Sequence, residues 1–285
     1  MTYQQLLKLF ILQTLIVSLL SCTSSYSSSN SSSSTSSNSF PSISTKISTT
    51  QTKKMILLEK FTADWCPPCL TAANNFENLS DDNLEDYAIL INYQVADHIY
   101  DSQNSTTKVF ADSRENYYSN EYYPNLFQNG SQTSTWAGSI TIDEILGTSQ
   151  SNYAAPTANY SIEISIENYN CMITITNNST SSYDNLTMHT MFIEDSYTYD
   201  SAPGTNSQTT FSHHLINYLG ETTVTAITSS SSQTLSYDLE SVAIPDIYWD
   251  NGTSSRIISS GVSLIVFIQN NDTNEVLQAA LLNVF

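Results

Sequence analysis

The sequence predicts a small α/β unit followed by an all-β sandwich, carried behind a polar tether. Three observations predict it. An almost unbroken apolar run, residues 55–61 (MILLEKF), leads into the turn ADWCPPC and then into a stretch with helical spacing. After Ala154-Ala155-Pro156 the spacing changes to alternation in seven short segments. Residues 23–51 are almost all Ser, Thr and Asn.

The chain opens on MTYQQLLKLFILQTLIVSLLSC. Its apolar run, residues 9–20, is shorter than the roughly 20 residues a spanning helix needs, and fits the core of a secretory leader. Leu19-Leu20-Ser21-Cys22 resembles the lipobox of bacterial lipoproteins. The resemblance implies that residues 1–21 are removed and that Cys22 is lipidated, which places the protein outside the cytoplasm, where disulfides persist. An ordinary secretory leader with an incidental cysteine is the competing reading. Residues 22–52 have little apolar surface to bury, so a disordered tether is expected there, with a coil reach of about 30 Å.

Residues 53–154 form the α/β unit. Strand 55–61 ends at Cys66, and Pro67 suits a first helical position because its missing N–H costs nothing there. Cys69, Ala72, Ala73, Phe76 and Leu79 then recur at helical spacing. Residues 88–95 (AILINYQV) read as a second strand and 105–118 as a second helix. A short strand, 125–128, precedes the hairpin signal Asn129-Gly130, and Thr141-Ile142-Asp143-Glu144 has capping-box form.

Three readings of the Cys66–Cys69 pair compete. A zinc site needs four ligands; only Cys171 remains, and His98, His189, His213 and His214 show no ligand spacing, so no metal is expected. A structural staple closes too small a loop to restrict the unfolded chain much. A redox dithiol fits best, because a helix start stabilises a thiolate and the two-residue gap holds a resolving sulfur one turn away.

Ala63-Asp64-Trp65-Cys66-Pro67-Pro68-Cys69 resembles the active-site turn of thioredoxins, and Tyr123-Pro124-Asn125-Leu126-Phe127 resembles their cis-proline strand. This likeness covers about a third of the chain. It implies a thioredoxin-like fold, with Cys66 as exposed nucleophile and Cys69 as shielded resolving thiol. It also implies a cis Pro124 facing the pair, with Trp65, Tyr123 and Pro124 meeting the substrate. Where thioredoxins carry a buried acid, this chain has Lys60; Lys60 and its neighbour Glu59 are the two possible proton acceptors. Pro67 and Pro68 both lack N–H donors, so the Cys66 thiol pKa should fall only modestly, as in a reductant or isomerase rather than a strong oxidant.

Residues 157–285 predict the sandwich. Strand-like segments fall at 160–168, 171–178, 186–195, 222–229, 233–241, 261–270 and 275–285, separated by Asn, Gly and Ser turns. Seven such strands suggest an immunoglobulin-like sandwich without the inter-sheet disulfide. Cys171 reads as a buried small hydrophobe, adjacent His213 and His214 as surface residues, and residues 246–252 as an acidic turn rather than a calcium loop. Lipobox, α/β unit and sandwich together are similar to the outer-membrane lipoproteins of the twenty-eight-kilodalton type.

Net charge is −19, with all 27 carboxylates after residue 58, a distribution that repels phosphate backbones and argues against nucleic acid as a partner. The expected function is a membrane-tethered thiol–disulfide oxidoreductase, a protein-disulfide reductase or isomerase that needs no cofactor. Its partners would be cysteine-containing extracytoplasmic proteins and a thiol electron donor. The expected location is the periplasm or cell surface, at the outer membrane. The alternative is a surface lipoprotein in which the α/β unit is a scaffold and the sandwich binds a partner.

Overall fold

A computed structural model describes residues 43–81, 83–95, 105–224, 227–240, 242, 256–258 and 261–284. The leader, Cys22, most of the tether and the 246–252 turn lie outside the described residues.

Among the described residues the chain is β-rich, with three α-helices and two sheets. The elements run β1 (Ile47–Lys53), β2 (Ile56–Thr62), α1 (Pro67–Asp81), β3 (Ala88–Gln94), α2 (Ser105–Tyr117), β4 (Asn125–Gln128), β5 (Ser131–Gln132) and α3 (Ile142–Leu146). Then come β6 (Thr157–Glu167), β7 (Asn170–Asn177), β8 (Leu186–Tyr199), β9 (Thr210–Val224), β10 (Ser232–Asp238), β11 (Arg256–Ile258), β12 (Val262–Asn270) and β13 (Val276–Asn283).

Every residue of β2 and β3 is buried, as the continuous apolar runs require of strands covered on both faces. They pair in parallel, Lys60 opposite Asn92, and β4 adds antiparallel to the other side of β2. Asn129 and Gly130 both take positive φ, 48° and 88°, which makes the β4–β5 hairpin the expected two-residue turn. Gly130 has a second reason to be glycine: an added Cβ would lie 1.7 Å from the Asn274 carbonyl oxygen. Helix α3 opens on the predicted capping box, with the Thr141 hydroxyl accepting from Glu144 N–H and the Glu144 carboxylate accepting from Thr141 N–H.

The side chains of β2 alternate between two cores. Ile56 and Leu58 pack with Ala72, Phe76 and Leu79 of α1 and with Ile142 and Ile145 of α3. Leu57 and Phe61 join a larger core with Phe110 of α2 and with both sheets of the C-terminal half. There the four-stranded sheet, ordered β1-β6-β7-β10, covers strands of the larger sheet through Ile162, Ile164, Ile173 and Ile175.

Three expectations need correction. β1 takes up the end of the segment read as disordered tether and the first residue after it: residues 47–53 pair antiparallel with β6, because alternate side chains of ISTTQTK, starting with Ile47, turn inward. The α/β unit and the strands after it, read as two domains, share one sheet, since β3 pairs in parallel with β9 at Asn92 and His214. One sheet therefore runs β13-β12-β8-β9-β3-β2-β4-β5 through both parts. Finally, β9 spans Thr210–Val224, so the segment read at 222–229 caught only its end. As a central strand β9 buries His214 fully and the Nδ1 of His213, where surface histidines were expected.

Candidate functional site

Strand β2 delivers the chain to a turn, Ala63 to Cys66, closed by Cys66 N–H donating to Ala63 O at 3.4 Å. Pro67 is the first residue of α1, and Cys69 N–H donates back to Cys66 O at 3.0 Å. Cys66 and Cys69 are joined in a disulfide, with Cα atoms 5.3 Å apart. Cys69 is fully buried. Cys66 is only 3% exposed, which corrects the expectation of an exposed nucleophile. What remains open beside the pair is Trp65, 44% exposed, whose ring meets Tyr123 edge-on at 5.9 Å. Tyr123 also packs on the cluster of Ala63, Cys66 and Cys69, and the Tyr123–Pro124 peptide bond is cis. The structure thus brings together Trp65, Cys66, Cys69, Tyr123 and Pro124.

The loop between β8 and β9 docks on this turn, a contact the sequence did not reveal. Asn206 N–H donates to Asp64 O at 3.0 Å, and its side-chain amide donates to Ala63 O and Cys66 O, each at 3.3 Å. Thr205 Oγ1 donates to Trp65 O at 3.4 Å. Gly204 permits the approach: an added Cβ would lie 2.2 Å from Asp64 O. Pro203-Gly204 is a turn-forming dipeptide, which by itself says nothing about what the turn touches.

The two possible proton acceptors lie on opposite faces of β2, as strand alternation requires. Glu59 points toward α2, where both carboxylate oxygens are held by Arg114 Nη2 at 2.7 and 2.8 Å. Arg114 Nε, at 3.0 Å, and the Tyr93 hydroxyl, also at 3.0 Å, donate to one of these oxygens. The Tyr118 hydroxyl donates to the other at 2.5 Å. With that many donors committed, Glu59 is tied into a buried ion pair with Arg114 on the face of β2 opposite Lys60. Lys60 points toward α1, its amine 5.0 Å from the centre of the Phe76 ring. It is buried, and burial pushes its pKa down to about 7.

Burial acts in the same way on Cys171, His213 and His214. Burial raises the Cys171 thiol to about 12. Burial lowers His213, helped by nearby Lys60, to about 4, and burial lowers His214 to about 3, so both stay neutral. Among the described residues no three His, Cys, Asp or Glu side chains group to hold a metal ion, and no helix is long and apolar enough to cross a membrane.

No protein family matches the sequence, and no curated protein matches it. In three dimensions the chain is similar to HBP35 of Porphyromonas gingivalis, with a TM-score of 0.58 at 12% identity over 81% of this chain and 75% of that one. It is similar also to protein AGR_C_4864 of Agrobacterium tumefaciens, with a TM-score of 0.51 at 14% identity over 81% of this chain and 95% of that one. At such identities the likeness is one of fold: a β-rich chain with a helix-flanked sheet and a second sheet, on which the Cys66–Cys69 pair sits.

Proposed function

We propose that β2 to α3 form a thioredoxin-like unit, that the remaining strands form an immunoglobulin-like sandwich, and that the protein is an extracytoplasmic thiol–disulfide oxidoreductase. A lipid on Cys22 would tether it to the outer membrane. The observation that carries the activity is the Cys66–Cys69 disulfide at the start of α1, packed beside Tyr123 and its cis bond to Pro124.

In the reducing direction the Cys66 thiolate attacks a substrate disulfide, forms a mixed disulfide and expels one substrate thiolate. The Cys69 thiol gives its proton to the Lys60 amine, whose lowered pKa leaves a neutral fraction near pH 7. The Cys69 sulfur then attacks Cys66, releases the second substrate thiolate and closes the Cys66–Cys69 bond. Two electrons pass to the substrate, and a thiol donor returns them. Pro67 and Pro68 offer the Cys66 sulfur no N–H, which keeps its thiol only modestly acidic and favours reduction or isomerisation over strong oxidation.

Cys69→Ala should therefore accumulate mixed disulfides through Cys66, visible as partners released by reductant, and the wild-type protein should reduce the disulfides of insulin. Absence of both would end the oxidoreductase reading. The 3% exposure of Cys66 favours a second reading, in which the α/β unit is a scaffold for a surface lipoprotein and the sandwich binds a partner. In that case Cys66→Ser would leave the phenotype intact.

A further inference from the structure

The turn bearing Cys66 is held by residues from the sandwich as well as by its own helix. The two carbonyls that Asn206 engages, Ala63 O and Cys66 O, stand at the two ends of the turn. Its amide therefore clamps the segment whose shape sets the position of the Cys66 sulfur.

Asn206 is itself fixed. Its Oδ1 accepts Gln208 N–H at 2.9 Å, its own N–H is spent on Asp64 O, and its side chain is buried. With its N–H, its side-chain amide and its side-chain oxygen all committed, the clamp is held in place around the disulfide form.

Reduction asks two things of this turn. The sulfurs must separate from a covalent bond to a non-bonded contact, and any Cys66 thiol that ionises must hold its charge in a buried place. The clamp resists the first. Burial at 3% exposure, with two prolines where N–H donors would stand, resists the second. A contact that fits one redox state better than the other shifts the equilibrium between them by that difference.

We propose that Asn206 is a positioning residue for the Cys66–Cys69 pair: by holding the carbonyls of Ala63 and Cys66 it favours the disulfide over the dithiol. The inference rests on the reading of Cys66–Cys69 as a working redox pair. The sandwich then tunes the potential of the pair as well as standing beside it.

The test equilibrates the full chain with dithiothreitol, which surrenders two electrons and two protons to Cys66 and Cys69 and becomes a cyclic disulfide. The oxidised fraction is read by alkylation and mass spectrometry of the peptide that carries the pair. In Asn206→Ala the equilibrium constant should move about tenfold toward the dithiol, or about 30 mV for a two-electron couple. Gly204→Ala, which forces the same loop away from Asp64, should move it in the same direction. The melting temperature of the oxidised form should fall by more than that of the reduced form, whereas a merely structural asparagine would lower both alike. A change below twofold in Asn206→Ala, or a shift toward the disulfide, overturns the proposal. Should Asn206→Ala fail to fold, Thr205→Val carries the test: a shift of about threefold toward the dithiol supports the clamp, and an unchanged constant overturns it. The measurement needs no protein substrate. Failure both to trap partners on Cys69→Ala and to reduce insulin would sink the oxidoreductase reading, while an unchanged equilibrium in an active protein would sink only the role of Asn206.

Discussion

Arg114→Met should destabilise the fold by about 3–5 kcal/mol, the usual cost of leaving a buried charge without its partner. Glu59 is 1% exposed and takes three guanidinium bonds from Arg114. Arg114 reaches further, donating from Nη1 to Gln269 Oε1 at 2.8 Å and lying over the Tyr118 and Phe267 rings. Methionine keeps much of the packing and removes the charge. The loss belongs to the stranded Glu59 anion, so Arg114→Met combined with Glu59→Gln should recover most of the stability. Urea unfolding of the two single variants and the double variant reads the cycle. Additive single effects would show that the pair is not coupled as its geometry requires. The network joins β2, α2 and β12, so the single variant should lower one common transition and not that of the α/β part alone.

Lys60→Met should stabilise the protein near neutral pH, and the gain should vanish as pH rises. The folded chain holds Lys60 neutral above about 7, whereas in the unfolded chain the amine stays protonated up to about 10.4. Between those limits the unfolded state binds the extra proton, so wild-type stability climbs with pH through this window, and below it the full penalty of the buried ammonium is present. The penalty is on the order of 4 kcal/mol at and below pH 7. Methionine removes it. Denaturant unfolding at pH 7 and pH 10 should show a large gap between variant and wild type at the first pH and almost none at the second. Equal gaps would mean that Lys60 is charged in the folded protein. If Lys60 takes the Cys69 proton, the same substitution slows resolution of the mixed disulfide while strengthening the fold, a trade typical of functional sites.

The local signals were legible where chemistry and period agreed. The MILLEKF run, Pro67 at the helix start, Asn129-Gly130 and the Thr141 capping box each became the element their residues prescribe. The opposite faces of Glu59 and Lys60 followed from strand alternation alone. Non-local pairing was not legible. β1 was hidden because ISTTQTK lacks the apolar density of a strand and gains its partner, β6, only from a segment about a hundred residues later. β9 was misplaced because His213, Asn217 and Gly220 break its alternation, while its burial comes from lying between β8 and β3. Asn206 was missed for the same reason: an asparagine in a polar loop is unremarked until its partner, the Cys66 turn, arrives from 140 residues earlier.

The pairing of β3 with β9 decides what can be cut apart. A fragment ending near residue 154 would leave one side of β3 with bare N–H and C=O groups. It would also uncover Leu57, Phe61, Tyr93 and Phe110, which lie against the C-terminal half in the common core. A naked strand edge beside an apolar face is a template for self-association. Excising the cysteine-bearing part to study it alone should therefore give aggregates. The Cys66–Cys69 turn belongs to the first part of the described fold, but a piece that keeps its core covered and β3 paired has to include the strands that follow it.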